Sequence, residues 1–163
     1  MALGITKKKI ESQFVRISVP EVQFGMCLAT QRDACKPNRD SRLSTKHSGF
    51  GVHFAGVIGE LCFHRVYGGK INQSILPQGD QHAADIELPD GRCVEVKTSL
   101  YTGPDVELKF ESRELEKCEY CCLIQVTLPD SGLVFPIWNL EEIKSKLIKK
   151  DYGYGDRWVF RPD

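Results

Sequence analysis

The sequence predicts a single α/β domain, and three observations support that prediction. Its 163 residues match the length of one domain with a sizeable core. Apolar positions between residues 52 and 67 follow the spacing of an amphipathic helix, which the glycine pair at 68 and 69 would end. Residues 83 to 88 and 92 to 100 have β-type patterns on either side of a Pro-Asp-Gly turn. We therefore expect one core and one functional site.

The segments before this helix are predicted to be a strand and a basic loop. Residues 14 to 24 alternate loosely between apolar and polar side chains, and Pro20 limits the strand to an edge or a break. Residues 31 to 49 are polar, and their Arg and Lys side chains are Arg32, Lys36, Arg39, Arg42 and Lys46. We expect a surface loop that could contact phosphates.

The segments after the first hairpin continue the mixture of strands and helices. Residues 106 to 110 have the pattern of a strand, and Ser112 opens a short helix. Residues 120 to 128 and 133 to 138 are apolar runs that should pair as a second hairpin. Asn139 is predicted to cap a last helix at residues 140 to 150, and the aromatic tail would add an edge strand.

Composition and charge place the chain among soluble globular proteins. Hydrophobic residues make up 41% of it and charged residues 27%, which argues against a disordered or fibrous protein. Because the formal net charge is zero, any binding of nucleic acid must come from local basic clusters. The sequence lacks a signal-peptide pattern and an apolar run of about 20 residues, so we expect a cytoplasmic protein without a membrane span.

Seven cysteines are interpreted as free thiols in a reducing compartment. Cys118 and Cys121 have a CxxC spacing, and with Cys122, Cys27 or Cys35 they could hold zinc or an iron-sulfur cluster. The pattern around Cys121 and Cys122 is that of a buried strand, where cysteine acts as a small apolar residue. A structural cysteine-metal protein is therefore one alternative, and the weakest.

The turn of the first hairpin determines which side chains share a face. A three-residue Pro89-Asp90-Gly91 loop would pair Asp85 with Glu95 across the strands. A two-residue loop would instead bury Asp85 among apolar side chains without a partner, which is costly. With the three-residue loop, period-two alternation places Asp85, Glu95 and Lys97 on one face. The other face is apolar, with Ala84, Ile86, Val94 and Val96.

This polar face has the composition of a site for phosphodiester hydrolysis. Two carboxylates on adjacent strands repel each other unless a cation lies between them. Mg²⁺ prefers oxygen ligands and keeps several waters, so Asp85, Glu95 and the main-chain carbonyl of Val96 would suffice to hold it. Lys97 could orient or deprotonate a water and offset charge on a phosphate.

The spacing resembles the signature of the PD-(D/E)XK, or restriction-endonuclease-like, nucleases. Asp85, nine intervening residues and then Glu95-Val96-Lys97 match the motif, and Glu60 resembles the acidic residue of the family's preceding helix. Ala84 stands where many members have proline, and this proline performs no chemistry. The matched stretch runs from about residue 50 to residue 138, flanked by an N-terminal strand and basic loop and by a C-terminal helix and tail.

The resemblance implies both a fold and an activity. The fold would be an α/β/α sandwich with a mixed central sheet. The activity would be DNA cleavage by an endonuclease that depends on Mg²⁺, or on Mn²⁺ as a substitute, and leaves a 5′-phosphate. Asp85 and Glu95 would bind the metal, Glu60 would support them, and Lys97 would activate the attacking water.

Several side chains are further candidates for contacts with DNA, although each could equally be ordinary surface. They are Lys46, His82, Thr98, Ser99 and Lys109. Two other residues have simpler explanations as well, because Glu60 could pair with His64 one turn later and Gln125 could be a satisfied core amide. A homodimer or a larger complex is a plausible assembly, since no separate recognition domain is visible.

One further hypothesis comes from a different functional class. The same fold could serve as a noncatalytic nucleic-acid-binding or assembly subunit whose charged residues no longer position a metal. The presence of Asp85, Glu95 and Lys97 together favours the enzyme. The sequence leaves open whether the substrate is duplex, single-stranded or branched DNA, or RNA.

Overall fold

The chain contains both helices and strands, with a mixed central sheet, which confirms the predicted α/β class. The computed structural model describes residues 12–35, 49–74, 84–153 and 155–162. The helices in this part are α1 (Val19–Ala34), α2 (Gly49–Tyr67), α3 (Ser112–Lys117) and α4 (Leu140–Ile143). The strands are β1 (Gln13–Arg16), β2 (Lys70–Ile71), β3 (Ile86–Glu87), β4 (Cys93–Ser99), β5 (Leu108–Phe110), β6 (Tyr120–Thr127), β7 (Ser131–Asn139), β8 (Ile148–Asp151) and β9 (Asp156–Phe160).

The strands form two sheets. The larger has the order β1-β7-β6-β4-β3-β2 and is mixed, because β4 and β6 run parallel while the other neighbours are antiparallel. Parallel neighbours need a long crossover, and here β5 and α3 lie in the connection between β4 and β6. The smaller sheet has the order β5-β9-β8. None of the described helices is long and apolar enough to cross a membrane.

Each face of the large sheet packs against its own apolar cluster. On one face, α1 and α2 bury side chains such as Leu28 and Ile58 against Val94, Val96 and others of the sheet. On the other face, Leu108 and Phe110 of the small sheet pack with Leu123 of β6 and with Leu140 of α4. The predicted α/β/α sandwich has a layer of helices on this face. In the structure the layer consists mainly of the small sheet with short helices.

The N-terminal prediction of a strand through residue 24 is wrong beyond Arg16. Helix α1 begins at Val19, because Ser18 and Glu21 form a capping box in which each side chain bonds the backbone N–H of the other. Pro20 lies in the first turn of the helix, where its missing N–H costs nothing. The chain from Val19 to Ala34 is thus helical rather than extended.

The C-terminal prediction of a helix over residues 140 to 150 is also too long. Asn139 caps α4 as predicted, by accepting a hydrogen bond from the Glu141 N–H at 2.9 Å, but α4 ends at Ile143. A 3₁₀ turn follows at Lys144–Lys146, and the chain then enters β8. The predicted edge strand in the tail is β9, which lies in the centre of the small sheet.

A partly exposed cluster of charged and polar side chains around Glu107 joins the strands of the small sheet and gives its lysine-rich strand ion-pair partners. Lys150 of β8 donates to Glu107 at 2.7 Å, and Tyr152 and Arg161 donate to the same carboxylate. The hydrogen bond from Lys150 is the largest of the effects that lower the pKa of Glu107 to about 2. These long-range contacts give the lysine-rich segment partners that an isolated helix would lack.

Both predicted hairpins are confirmed. In the first, Ile86 pairs with Val94, and the Leu88 N–H donates to the Arg92 carbonyl at 2.8 Å, which is the register of the three-residue loop. Gly91 has a φ of 87°, a left-handed conformation that favours glycine and closes this loop. In the second, β6 and β7 pair antiparallel from Tyr120 to Thr127. The first hairpin carries the candidate site.

Candidate active site

Asp85 lies where β3 separates from β4. It immediately precedes the paired residue Ile86, which places it level with Glu95 in the register of the hairpin. Its Oδ2 accepts a hydrogen bond from the Val96 N–H of β4 at 2.9 Å. The carboxylate therefore supplies the acceptor that a backbone carbonyl would supply if β3 continued alongside β4. Because the N–H and C=O of one strand residue point to the same side, the Val96 carbonyl also faces this edge.

Helix α2 brings Glu60 to the same edge, and Gly59 makes the close approach possible. A Cβ atom on Gly59 would lie 2.3 Å from the Thr98 Oγ1 on β4, so any side chain there would collide with the strand. The next residue, Glu60, is only 5% exposed and is close enough to Asp85 and Glu95 for their charges to act on it. Helix α2 thus brings Glu60 within electrostatic range of the two hairpin carboxylates singled out in the sequence.

Gly59→Ala is expected to lower the free energy of unfolding by about 1–3 kcal/mol, since the added methyl group overpacks the contact between α2 and β4. Gly56→Ala is the matched control on the same helix, where a Cβ would meet nothing within 4 Å. The control should be neutral or stabilise by up to about 1 kcal/mol through helix propensity. Urea unfolding measures both changes. Equal stability of the two variants would contradict the close approach at Gly59.

The carboxylate cluster is buried and incompletely neutralised. Glu95 is 8% exposed, and the Oε2 atoms of both Glu60 and Glu95 are buried without a hydrogen-bond partner. Burial, reinforced by the charge of Asp85, raises the pKa of Glu60 to about 8 and that of Glu95 to about 7. Burial also raises the pKa of Asp85, although the Val96 N–H opposes this. A cation between these groups would relieve their repulsion.

Three basic side chains surround the carboxylates. Arg32 of α1 donates from Nη1 to the Glu60 Oε1 at 3.1 Å. Lys117 of α3 places its Nζ 3.7 Å from the Glu95 Oε2, too far for a hydrogen bond but within range of an ion pair. The third is Lys97, whose own partner lies on α3. The cluster therefore contains both acidic and basic groups in close contact.

Lys97 points to the same side of β4 as Glu95 and is held in place from α3. Its Nζ donates to the Glu114 Oε1 at 2.5 Å and lies 5.5 Å from the centre of the Phe110 ring. Glu114 is fixed in turn, because its Oε2 accepts the Glu111 N–H at 2.7 Å. Burial raises the pKa of Glu114, but the charge and hydrogen bond of Lys97 outweigh this and lower it overall. Lys97 is consequently a positioned ammonium group and not a solvated surface charge.

The carboxylates of the cluster do not form a closed metal-binding cage, although their oxygens are of the type that Mg²⁺ binds. Within the described residues, no three His, Cys, Asp or Glu side chains converge into a ready-made metal-binding group. Mg²⁺ rarely uses such a cage, because it keeps several waters and needs one or two carboxylates. The Oε2 atoms of Glu60 and Glu95, which have no hydrogen-bond partner, are oxygen ligands of the kind that it uses. We therefore regard the cluster as an open carboxylate site.

The cysteines of the described residues are free thiols, as the sequence interpretation holds. Cys118, Cys121 and Cys122 are buried in apolar clusters on the two faces of the sheet. Burial raises the pKa of Cys118 and of Cys121 to about 12, which keeps these thiols protonated. A protonated thiol is a poor metal ligand, so this part of the chain offers no support for a cysteine-metal protein.

The predicted contacts with nucleic acid lie in different places. Thr98 faces α2 and its Oγ1 is buried, so a phosphate contact does not fit this position. The Ser99 hydroxyl donates to the Tyr101 carbonyl in the loop after β4. Lys109 lies over the Tyr152 ring, 4.2 Å from its centre, on the small sheet. Lys46 and His82 lie outside the described residues.

Two alternative explanations made from the sequence are also settled by the contacts. Gln125 is a satisfied core amide, since its Nε2 donates to the carbonyls of Tyr101 and Gly103 at 3.1 and 2.9 Å. Glu60 does not use His64 as its partner, because the His64 Nδ1 lies 2.8 Å from the Gly69 carbonyl at the end of α2. The partner of Glu60 is Arg32.

Sequence reasoning missed the roles of Arg32, Glu114 and Lys117. Arg32 was expected in a basic loop as a phosphate contact, and it lies instead on α1 against Glu60. Glu114 and Lys117 are three residues apart on α3, a spacing that places both on one helix face. That spacing was a usable signal, whereas nothing in the sequence links Arg32 to a residue 28 positions later.

No known protein family model matches this chain, and no curated protein matches it either. Its functional interpretation therefore depends on the geometry of the charged cluster around Asp85, Glu95 and Lys97.

Proposed function

We propose that this protein is a nuclease that uses Mg²⁺ or Mn²⁺ to hydrolyse phosphodiester bonds in DNA. The observation that carries the proposal is the pair of buried carboxylate oxygens on Glu60 and Glu95 that lack a hydrogen-bond partner, in electrostatic range of Asp85. A buried carboxylate oxygen without a hydrogen bond is costly, and side chains whose pKa is strongly shifted by burial and by a neighbouring charge are common at functional sites. Lys97 adjoins the same carboxylates and supplies the charge that phosphate chemistry needs.

In this proposal, separate residues of the chain bind the cation and act on the water and the phosphate. Asp85, Glu95 and the Val96 carbonyl would hold the cation, with Glu60 as a supporting carboxylate. A divalent cation at this position supplies positive charge against the phosphate oxygens. Lys97 orients the attacking water and offsets the negative charge that develops on the phosphate. Attack at phosphorus breaks the bond to the 3′ oxygen and leaves a 5′-phosphate.

The fold supports assignment to the PD-(D/E)XK nucleases at the level of its central elements. A helix carrying an acidic residue precedes an antiparallel hairpin with Asp85 and the Glu95-Val96-Lys97 motif, and β4 then runs parallel to β6. We further propose that the protein is a cytoplasmic endonuclease and that it acts as a homodimer or within a larger complex. The small sheet that covers the second face would be an addition to the family's sandwich.

A noncatalytic subunit is the second candidate, and the bond between Lys97 and Glu114 favours it. An ammonium group that is already paired at 2.5 Å has less freedom to assist a reaction than an unpaired one. In such a protein the charged cluster would be a structural network, and nucleic acid would bind without being cut. Cleavage of nucleic acid distinguishes the two candidates directly.

The test is incubation of the wild-type protein with a panel of nucleic acids in the presence of Mg²⁺, Mn²⁺ or EDTA. The panel contains supercoiled plasmid, linear duplex, single strand, branched junction and RNA, and products are separated on gels. We expect cleavage of at least one DNA substrate with either metal and none with EDTA. Folded protein that binds DNA but cuts no substrate would favour the noncatalytic subunit.

A further inference from the structure

We propose that Arg32 is a positioning residue that sets the arrangement of the carboxylate cluster from helix α1. The inference rests on the proposed function, since it concerns how the same site is prepared for a divalent cation. Arg32 contacts Glu60 from helix α1, and its side chain is only 19% exposed. It would act through Glu60 and Asp85 and would not touch the substrate.

The guanidinium group of Arg32 has two different acceptors. Its Nη1 donates to the Glu60 Oε1 at 3.1 Å, and its Nη2 donates to the Asn72 carbonyl at 2.7 Å. These bonds join α1 to α2 and to the segment after β2. The planar fork of arginine can satisfy both acceptors at once, which a lysine ammonium group on a flexible stem does less well.

Both bonds lead to a carboxylate of the site. On one branch, Arg32 occupies only the Oε1 of Glu60 and leaves the buried Oε2 without a partner. On the other branch, the Asn72 N–H donates to the Asp85 carbonyl at 2.9 Å, and the Asp85 carboxylate in turn holds the Val96 N–H. One side chain therefore fixes the rotamer of Glu60 and the backbone that carries Asp85. Partners of metal ligands commonly act in this way.

Two simpler explanations of Arg32 fit the contacts less well. A phosphate contact fits less well, because the Arg32 side chain is only 19% exposed and two of its five N–H donors already bond Glu60 and Asn72. A plain helix-to-helix ion pair would explain the bond to Glu60 but not the bond to Asn72. The chain contains such a plain pair, between Arg65 of α2 and Glu21 of α1, and the Arg65 side chain is 47% exposed.

The Arg65–Glu21 pair supplies the matched control. Arg32→Ala and Arg65→Ala each remove one ion pair between α1 and α2, and only the first disturbs the carboxylate cluster. Arg32→Lys keeps the charge and loses the fork. Backbone hydrogen exchange by NMR, in EDTA, reports on the amides of Asn72 and Val96. Calorimetric titration with Mn²⁺ reports on the cation site in the same four proteins, wild type included.

We expect the amides of Asn72 and Val96 to exchange faster in Arg32→Ala than in Arg65→Ala. We expect the Kd for Mn²⁺ to rise about 10-fold to 100-fold in Arg32→Ala, less in Arg32→Lys, and not measurably in Arg65→Ala. If Arg32→Ala matches Arg65→Ala in both measurements, Arg32 is only a structural ion pair and the inference is overturned. If wild-type protein binds no Mn²⁺, the proposed function fails, and the exchange comparison alone decides the role of Arg32.

Discussion

Glu95→Gln is expected to reduce metal-dependent DNA cleavage by at least about a thousandfold, because it removes a ligand worth several kcal/mol of transition-state stabilisation. The amide has nearly the shape of the carboxylate, so β4 should keep its packing. The free energy of unfolding in EDTA should not fall, since the variant removes one negative charge from a buried group that includes Glu60 and Asp85. The cleavage rate would then fall without a fall in the free energy of unfolding.

Glu87→Gln is the control for this variant. Glu87 is an exposed glutamate on β3 of the same hairpin, and it pairs in register with Cys93. Its substitution should leave cleavage within about twofold of the wild type, as is usual for surface changes. Rates are measured as the loss of supercoiled plasmid with time, and stability as the midpoint of urea unfolding. A Glu95→Gln protein that cuts at the wild-type rate would exclude Glu95 as a metal ligand.

Lys97→Ala is expected to lower the cleavage rate by about 10²-fold to 10⁴-fold, the usual contribution of a positioned group that handles a proton or charge at the reacting centre. Binding of Mn²⁺ should persist, because the carboxylates and the Val96 carbonyl remain. The fall should appear in kcat more than in KM, since Lys97 acts on charge that develops during the reaction.

Lys149→Ala provides a matched lysine variant far from the hairpin. Lys149 forms an exposed ion pair with Asp156 at 3.1 Å on the small sheet, and such pairs contribute little. The cleavage rate of Lys149→Ala should equal that of the wild type.

Glu114→Gln tests whether Glu114 of α3 holds Lys97 in place. We expect its cleavage rate to fall less than that of Lys97→Ala. Full activity of Lys97→Ala would show that the ammonium group plays no part in the reaction.

The elements that the sequence predicted correctly are those with local determinants. The hairpin register follows from Pro89, Asp90 and Gly91, whose conformations are set within the turn. From that register, strand alternation places Asp85, Glu95 and Lys97 on one face without any further information. Helix α2 could be predicted equally well, because its apolar periodicity extends over several turns.

The predictions are wrong where a helix-capping signal lies within a strand-like alternation, or where contacts between distant residues decide the structure. The capping box of Ser18 and Glu21 is a local signal in the sequence that the prediction of a strand over residues 14 to 24 does not include. At the other end, the lysines of β8 become part of a strand because Glu107 and Asp156 are brought beside them by the fold. Such partners are separated by the chain and have no periodic pattern.

The same distinction between local and distant determinants separates the site residues that could be predicted from those that could not. Its acidic residues and Lys97 could be predicted from one hairpin and one helix. Its supporting residues come from elsewhere, since Arg32 belongs to a helix that was not predicted and Lys117 to the short helix α3. Only the folded structure shows that Glu60 and Glu95 each keep one buried oxygen without a hydrogen-bond partner.

The most direct test of the central claim is calorimetric titration of the metal-free wild-type protein with Mn²⁺, alongside Glu95→Gln. The account predicts saturable binding to the wild type that is lost or weakened at least about tenfold in the variant, as expected when a metal ligand is removed. Equal binding by both proteins, or no binding by either, would contradict the claim that these carboxylates hold a catalytic divalent cation.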